Sequence, residues 1–211
     1  MKAFLDRVDR FLDTHLDSTP RVLLIVAVLL LAPTYLFPLW KLTLFAPQYQ
    51  DGLRVSIYSW KLDGGNNGQD IDEVNVLNHY IGMRNLDTSS FSEFKWIPFV
   101  VGGLGLLFLR TAVLGRMRHL VDVVALFMYF SLFALASFAN KLWLWGHDLS
   151  PTASVKVPGF MPPMFGYRKI ANFEVYSYPE MGSYAFFAVA LVLGAAWFTA
   201  WRHGSGRAAG A

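Results

Sequence analysis

The chain has 211 residues, of which 55% are hydrophobic and only 16% charged, with a formal net charge of +3 and a mean hydropathy of +0.38. An ordinary soluble domain carries roughly a quarter of its residues as charges, so this composition excludes that class. A membrane protein with no nucleic-acid partner is expected.

The opening stretch "MKAFLDRVDRFLDTHLDSTP" sets Phe4, Val8, Phe11 and Leu12, with Leu16 beyond them, at helical spacing between charges. No small-residue cleavage pattern follows the first apolar run, which argues against a signal peptide. The spacing predicts an amphipathic helix over 1–20 lying on a membrane surface, with a solvated helical tail as the other reading. Four apolar runs follow: Val22 to Phe45, Trp96 to Leu114, Leu120 to Trp145, and Ser183 to Trp201. Each is near the roughly 20 residues that a hydrocarbon layer of about 30 Å requires. Backbone amides in lipid must find partners within their own segment, so each run is read as a helix. A β-barrel is discarded because Leu23 to Leu31 and Phe186 to Leu193 are continuously apolar, without two-residue alternation. The expected organisation is the 1–20 helix, a four-helix transmembrane domain over 21–203, and a flexible tail over 204–211.

Polar residues concentrate in two long loops, 46–95 and 146–182. In the first, "LRVSIYSWKL" alternates as a half-buried strand does and "DGGNNG" is a dense turn signal. In the second, "ANFEVYSYPEMG" offers another β-branched and aromatic run. The echo of "VSIYSW" in "VYSYP" predicts that these two strands pair. The fold class is therefore an all-α membrane protein of four transmembrane helices, with a small extracytoplasmic cap containing short β-strands. Lys2, Arg7, Arg10 and Arg21 precede the first span, Arg116 and Arg118 fill the short turn after the second, and Arg202 and Arg207 follow the last. By the positive-inside rule both termini are cytoplasmic, and the setting is a bacterial inner (plasma) membrane crossed four times.

Charges near the spans are read individually, since charge in hydrocarbon is costly. Arg110 and Asp122 are expected to form a salt bridge across the short turn or, in a second reading, a proton relay. Lys41 and Lys141 are expected to snorkel to the headgroups. Gly102, Gly103, Gly105, Gly194, Ala195 and Ala196 allow close helix contact, within the chain or with a partner. Trp40, Phe45, Trp96, Trp143 and Trp145 fit an outer aromatic belt.

Cysteine is absent, so any metal must be held by His, Met, carboxylate or backbone ligands. In "VNVLNHYIGM" a short helix would place His79 and Met83 at i and i+4 on one face. Imidazole with thioether suits Cu(I). The second loop adds "GFMPPMFGY", with Met161 and Met164, besides His147 and Met181. The plain alternative is packing, in which methionine fills gaps and a histidine beside Tyr80 makes a hydrogen bond. Dinucleotide, phosphate-loop, nucleophile-elbow, zinc-protease and haem-attachment motifs are all missing, so the chain is not expected to be an enzyme.

At "LNHYIGM" together with "PPMFGYRKIANFEVYSYP" the chain resembles a family of uncharacterised multi-helix bacterial membrane proteins whose genes tend to lie near copper-dependent respiratory enzymes and their maturation factors. The resemblance covers the two outer loops and the four-span layout. It implies an accessory part in copper or redox enzyme assembly, with His79, Met83, Met161 and Met164 as the positions matching its motifs and copper as the only cofactor. The family has no assigned activity to carry over. Two functions follow: an accessory protein handling Cu(I) at the outer face, or a non-catalytic structural subunit of a larger complex. The expected partners are the lipid bilayer and other membrane-protein subunits.

Overall fold

The computed structural model describes residues 1–170 and 172–209, with only the backbone described at residues 3 and 203–209. Among the described residues seven α-helices and five strands run in the order α1 (Lys2–Leu12), α2 (Ser18–Leu31), α3 (Pro33–Leu36), β1 (Trp40–Ala46), β2 (Tyr49–Ile57), β3 (Leu62–Gly64), α4 (Gln69–Ile81), α5 (Glu93–Leu114), α6 (Met117–His147), β4 (Gly166–Ile170), β5 (Phe173–Pro179) and α7 (Met181–Ala209). Four stretches are helical, long and apolar enough to cross a membrane: Ser18–Leu36, Glu93–Leu114, Met117–His147 and Met181–Arg202. Residues 210 and 211 of the expected tail, and the side chain of Arg207, lie outside the description.

The residues divide into two compact units. The first comprises Met1–Pro33, Phe99–Ser131 and Ala185–Ala211. Its interior is aliphatic and aromatic, with Leu24, Val101, Phe108, Leu120, Val189 and Leu193 all at 2% exposure or less. Phe127 packs its ring near both Phe108 and Phe186. Large apolar side chains also line the outside: Val113 is 77% exposed and Leu191 76%. That exposure is compatible with lipid contact, where apolar surface carries no hydration cost. Gly105 meets Leu31 of α2, but a Cβ added at Gly103 or Gly194 would meet nothing within 4 Å. The small-residue positions thus serve an internal contact only in part. Arg110 and Asp122 are both exposed, and the expected ion pair between them is not formed among the described residues. Arg118 of this unit pairs with Asp13, at 3.0 Å.

The second unit comprises Thr34–Pro98 and Leu132–Tyr184 and contains an open antiparallel sheet in the order β3-β2-β1-β5-β4. The run read as one span from Val22 to Phe45 ends as helix at Leu36, and its end, from Trp40, is strand β1. Pro33 and Pro38 break the helical pattern, and "WKLTLFA" alternates once the helix has stopped. The predicted strands also do not pair with each other. Each pairs with β1, through Leu42↔Val55 on one side and Leu42↔Ser177 on the other. "LRVSIYSWKL" is strand only to Ile57 and then turns, reaching β3 at its last residue, Leu62, which pairs back with Ile57. Leu42, Leu44, Leu53, Val55 and Ile57 share a sheet face that packs with Val74 and Leu77 of α4 in one core. The opposite face carries an edge-on pair of Phe45 and Tyr176. Tyr49 donates a hydrogen bond to the Glu73 carboxylate, which ties β2 to α4 and holds the tyrosine hydroxyl above its ordinary pKa.

Candidate functional site

Helix α4 fixes the first half of the site. Its inward stripe is Val74, Leu77, Asn78 and Ile81, all buried, whereas Val76, His79 and Tyr80 are exposed. Gly82 adopts a left-handed conformation with φ 80°, its N–H bonds the His79 carbonyl at 3.2 Å, and the Met83 N–H bonds the Asn78 carbonyl at 2.8 Å. This pair of bonds is a Schellman motif, and it reverses the chain before the turn that would have carried Met83. The expected i, i+4 face shared by His79 and Met83 therefore does not exist. His79 is exposed on the last helical turn, and Met83 is half-buried beyond the cap. A Cβ on Gly82 would also lie 3.0 Å from the Ser150 backbone and 2.8 Å from Ala153, so glycine is required twice over.

That close approach brings in the second loop. Ser150 donates its N–H to the Gly82 carbonyl at 2.8 Å, and Val155 donates to the Tyr80 carbonyl at 3.0 Å. Further along, Phe160 donates to the Gly146 carbonyl at 3.0 Å, and Gly159 packs against the His147 ring. Met83 is the residue after Gly82 and Met161 the residue after Phe160, so both are tethered to the stretch 146–150 that ends α6. Met161 is held again through its carbonyl, which accepts from Arg168 of β4 at 3.0 Å. The Met164 carbonyl accepts from the buried Ser177 hydroxyl at 3.0 Å, whose oxygen in turn accepts from Trp40 Nε1 at 2.8 Å. Met161 and Met164 are each half-buried. Backbone bonds thus hold Gly82, just before Met83, and Phe160, just before Met161, to residues at and just past the end of α6, whereas Met164 is held by Ser177 of β5. Among the described residues no three His, Cys, Asp or Glu side chains cluster to hold a metal ion. A metal here would depend on thioether sulfur.

Beside the end of α6 lies a cavity of about 160 Å³, lined by Arg84, Ser90, Lys141, Leu144, Trp145 and Asp148. Its chemistry was not legible from spacing. Lys141, expected to snorkel, pairs with Glu93 at 3.5 Å, the side chains being 25% and 16% exposed. The Glu93 carboxylate also accepts from Ser137 at 3.0 Å. Phe91 and Trp145 stack 4.9 Å apart at 13°, and the Lys141 ammonium lies 5.5 Å and 5.8 Å from their two centroids. The charge is thus neutralised and covered by aromatic faces rather than extended to water. Arg84 pairs with Asp148 at the rim, and its carbonyl accepts from Trp145 Nε1 at 3.2 Å. Because both cations already have carboxylate partners, the cavity has little affinity to spare for an added anion. Next to it, Asp87 caps a short turn, and the Ser89 hydroxyl and amide hold its carboxyl below the usual range. Lys41 of β1 likewise pairs with Glu180, at 3.9 Å.

No family model matches the chain, and a search of curated proteins finds no relative.

Proposed function

We propose that the protein is an accessory integral membrane protein that handles Cu(I), or assists the assembly of a copper or redox enzyme, at the outer face of a bacterial inner membrane. The four apolar helices cross the bilayer with both termini in the cytoplasm, which puts the sheet, α4 and the end of α6 outside. The observation that carries the reading is the convergence of two segments bearing soft ligands, 79–83 and 161–164, on the end of α6. Neither segment alone has enough donors for tight capture, since Cu(I) bound by thioether and imidazole needs a set of three or four. His79 supplies an accessible imidazole and Met83, Met161 and Met164 supply sulfur. The likeness of "LNHYIGM" and "PPMFGY" to proteins encoded beside copper-dependent respiratory enzymes points the same way. The role is carriage and delivery, with no bond-making step.

Competition of the purified protein against a Cu(I) chelator under reducing conditions tests this. One copper per chain is expected, with binding weakened at least about tenfold, or about 1.4 kcal/mol, in a variant carrying M161L and M164L. Equal retention by wild type and variant would sink the ligand assignment. The orientation has its own check: a protease site placed at Gly65 to Gly68 should be cut only from the periplasmic side of oriented vesicles, and cutting only from the cytoplasmic side would reverse it.

A second reading, the non-catalytic structural subunit, is favoured by the exposed apolar stripe of Val76 at 61%, Tyr80 at 55% and Val155 at 38%. Contiguous apolar surface in water marks a partner contact. If the structural reading holds, gentle solubilisation recovers the chain with a second membrane protein; a lone monomer counts against it.

A further inference from the structure

Helix α1 presents an apolar face that nothing in its own unit covers. Phe4 is 68% exposed, Leu5 53% and Val8 36%, and together with the half-buried Phe11 and Leu12 they follow the i, i+3, i+4 stripe of one helical face. An 11-residue helix is marginal in water on its own, because nucleation is costly and few hydrogen bonds follow it. Something must cover that face. The segment behind it is fixed in place: Leu16 donates to the Gly115 carbonyl at 2.7 Å and Met117 donates to the Thr14 carbonyl at 3.0 Å. His15 and Arg116 form an isolated antiparallel bridge, and Asp13 pairs with Arg118 at 3.0 Å. The last residue of α1 is thus one residue from a clamp onto the turn joining α5 and α6, and α2 starts at Ser18. All three apolar helices have an end at this level. At the same level the Arg21 guanidinium lies against Gly115.

We infer that α1 lies in the boundary between headgroups and acyl chains of the leaflet at the α5-α6 turn, with Phe4, Leu5 and Val8 inserted. The charge pattern sets the mode of binding. Within α1 Lys2, Arg7 and Arg10 are largely offset by Asp6 and Asp9, so the contact is carried mainly by apolar burial and not by attraction to anionic lipid. It therefore persists at high salt, where a polybasic anchor would be released.

The inference requires only that α2, α5 and α6 cross the bilayer, and it is independent of copper. The chain has no cysteine, so single spin labels can be placed in the full protein in lipid nanodiscs. Labels at Phe4, Leu5 and Val8 are expected to be oxygen-accessible at roughly 5–10 Å depth. Labels at Asp6 and Asp9 are expected to be accessible to a water-soluble relaxant, with the same pattern in neutral and anionic lipid and in 1 M salt. Val113 and Leu191 serve as lipid-facing controls. Water-exposed controls would overturn the spanning reading and this inference with it. Buried controls with water-exposed α1 labels would overturn this inference alone, as would dipolar broadening at Phe4 or Val8 showing that a second copy covers the face.

Discussion

Replacing Glu93 with alanine is expected to lower the melting temperature of the detergent-solubilised protein by roughly 6–12 °C. The substitution leaves the Lys141 ammonium, whose side chain is 25% exposed, without its carboxylate partner. Removing one member of a buried pair costs roughly 3–5 kcal/mol, and the residual exposure of Lys141 puts this case near about 3 kcal/mol. The Phe91 and Trp145 faces at 5.5 Å and 5.8 Å remain and soften the loss, each contributing about 0.5–1 kcal/mol. The Ser137 hydroxyl loses its acceptor and adds to it. A paired variant carrying E93L and K141M should recover to within about 1.5 kcal/mol of wild type, because a well-packed apolar pair does without the desolvation of two charges. A neutral E93A would mean that solvent already screens the pair.

Gly146→Ala is the second large effect, and it connects stability to the proposed function. A Cβ at this position would lie 1.8 Å from the Phe160 carbonyl oxygen. Backbone cannot rotate out of the way as a long side chain can, so the oxygen must retreat by about 1.6 Å to reach an ordinary 3.4 Å contact. Overpacking of this kind costs roughly 1–3 kcal/mol. The displaced segment leads directly into Met161, while α4, the Gly82 cap and the Ser150 contact are held by separate bonds and stay. Cu(I) affinity should therefore fall at least about tenfold with the helical content intact. A variant that loses stability and keeps full copper affinity would show that the 158–164 segment is no part of the site.

The four apolar helices were legible because run length alone identifies them, and the turn at "DGGNNG" because Asn66 and Asn67 at φ 51° and 56° and Gly68 at φ 95° are what those residue types permit. Strand β1 was hidden because its apolar residues continue the preceding helix in composition, and only Pro33 and Pro38 mark the change. The pairing error followed, since β1 is the strand on which both predicted strands register. In "NHYIGM" the helix was legible but its end was not credited: a glycine after an apolar helical turn is a stop signal, and it separates His79 from Met83. The Glu93–Lys141 clamp joins residues on different helices far apart in the chain, and no local pattern encodes such a contact. Arg110 and Asp122 show the converse, a plausible pairing by depth that fails because both side chains point outward.

X-ray absorption at the copper edge, on protein loaded with Cu(I) and freed of excess metal, reads the proposed ligand set itself. Two or three sulfur neighbours at about 2.3 Å and one nitrogen at about 2.0 Å are expected, distances typical of first-row metals with these donors, with the sulfur signal reduced in M161L. A copper shell of oxygen and nitrogen alone, or no copper retained after exchange, would contradict that ligand set.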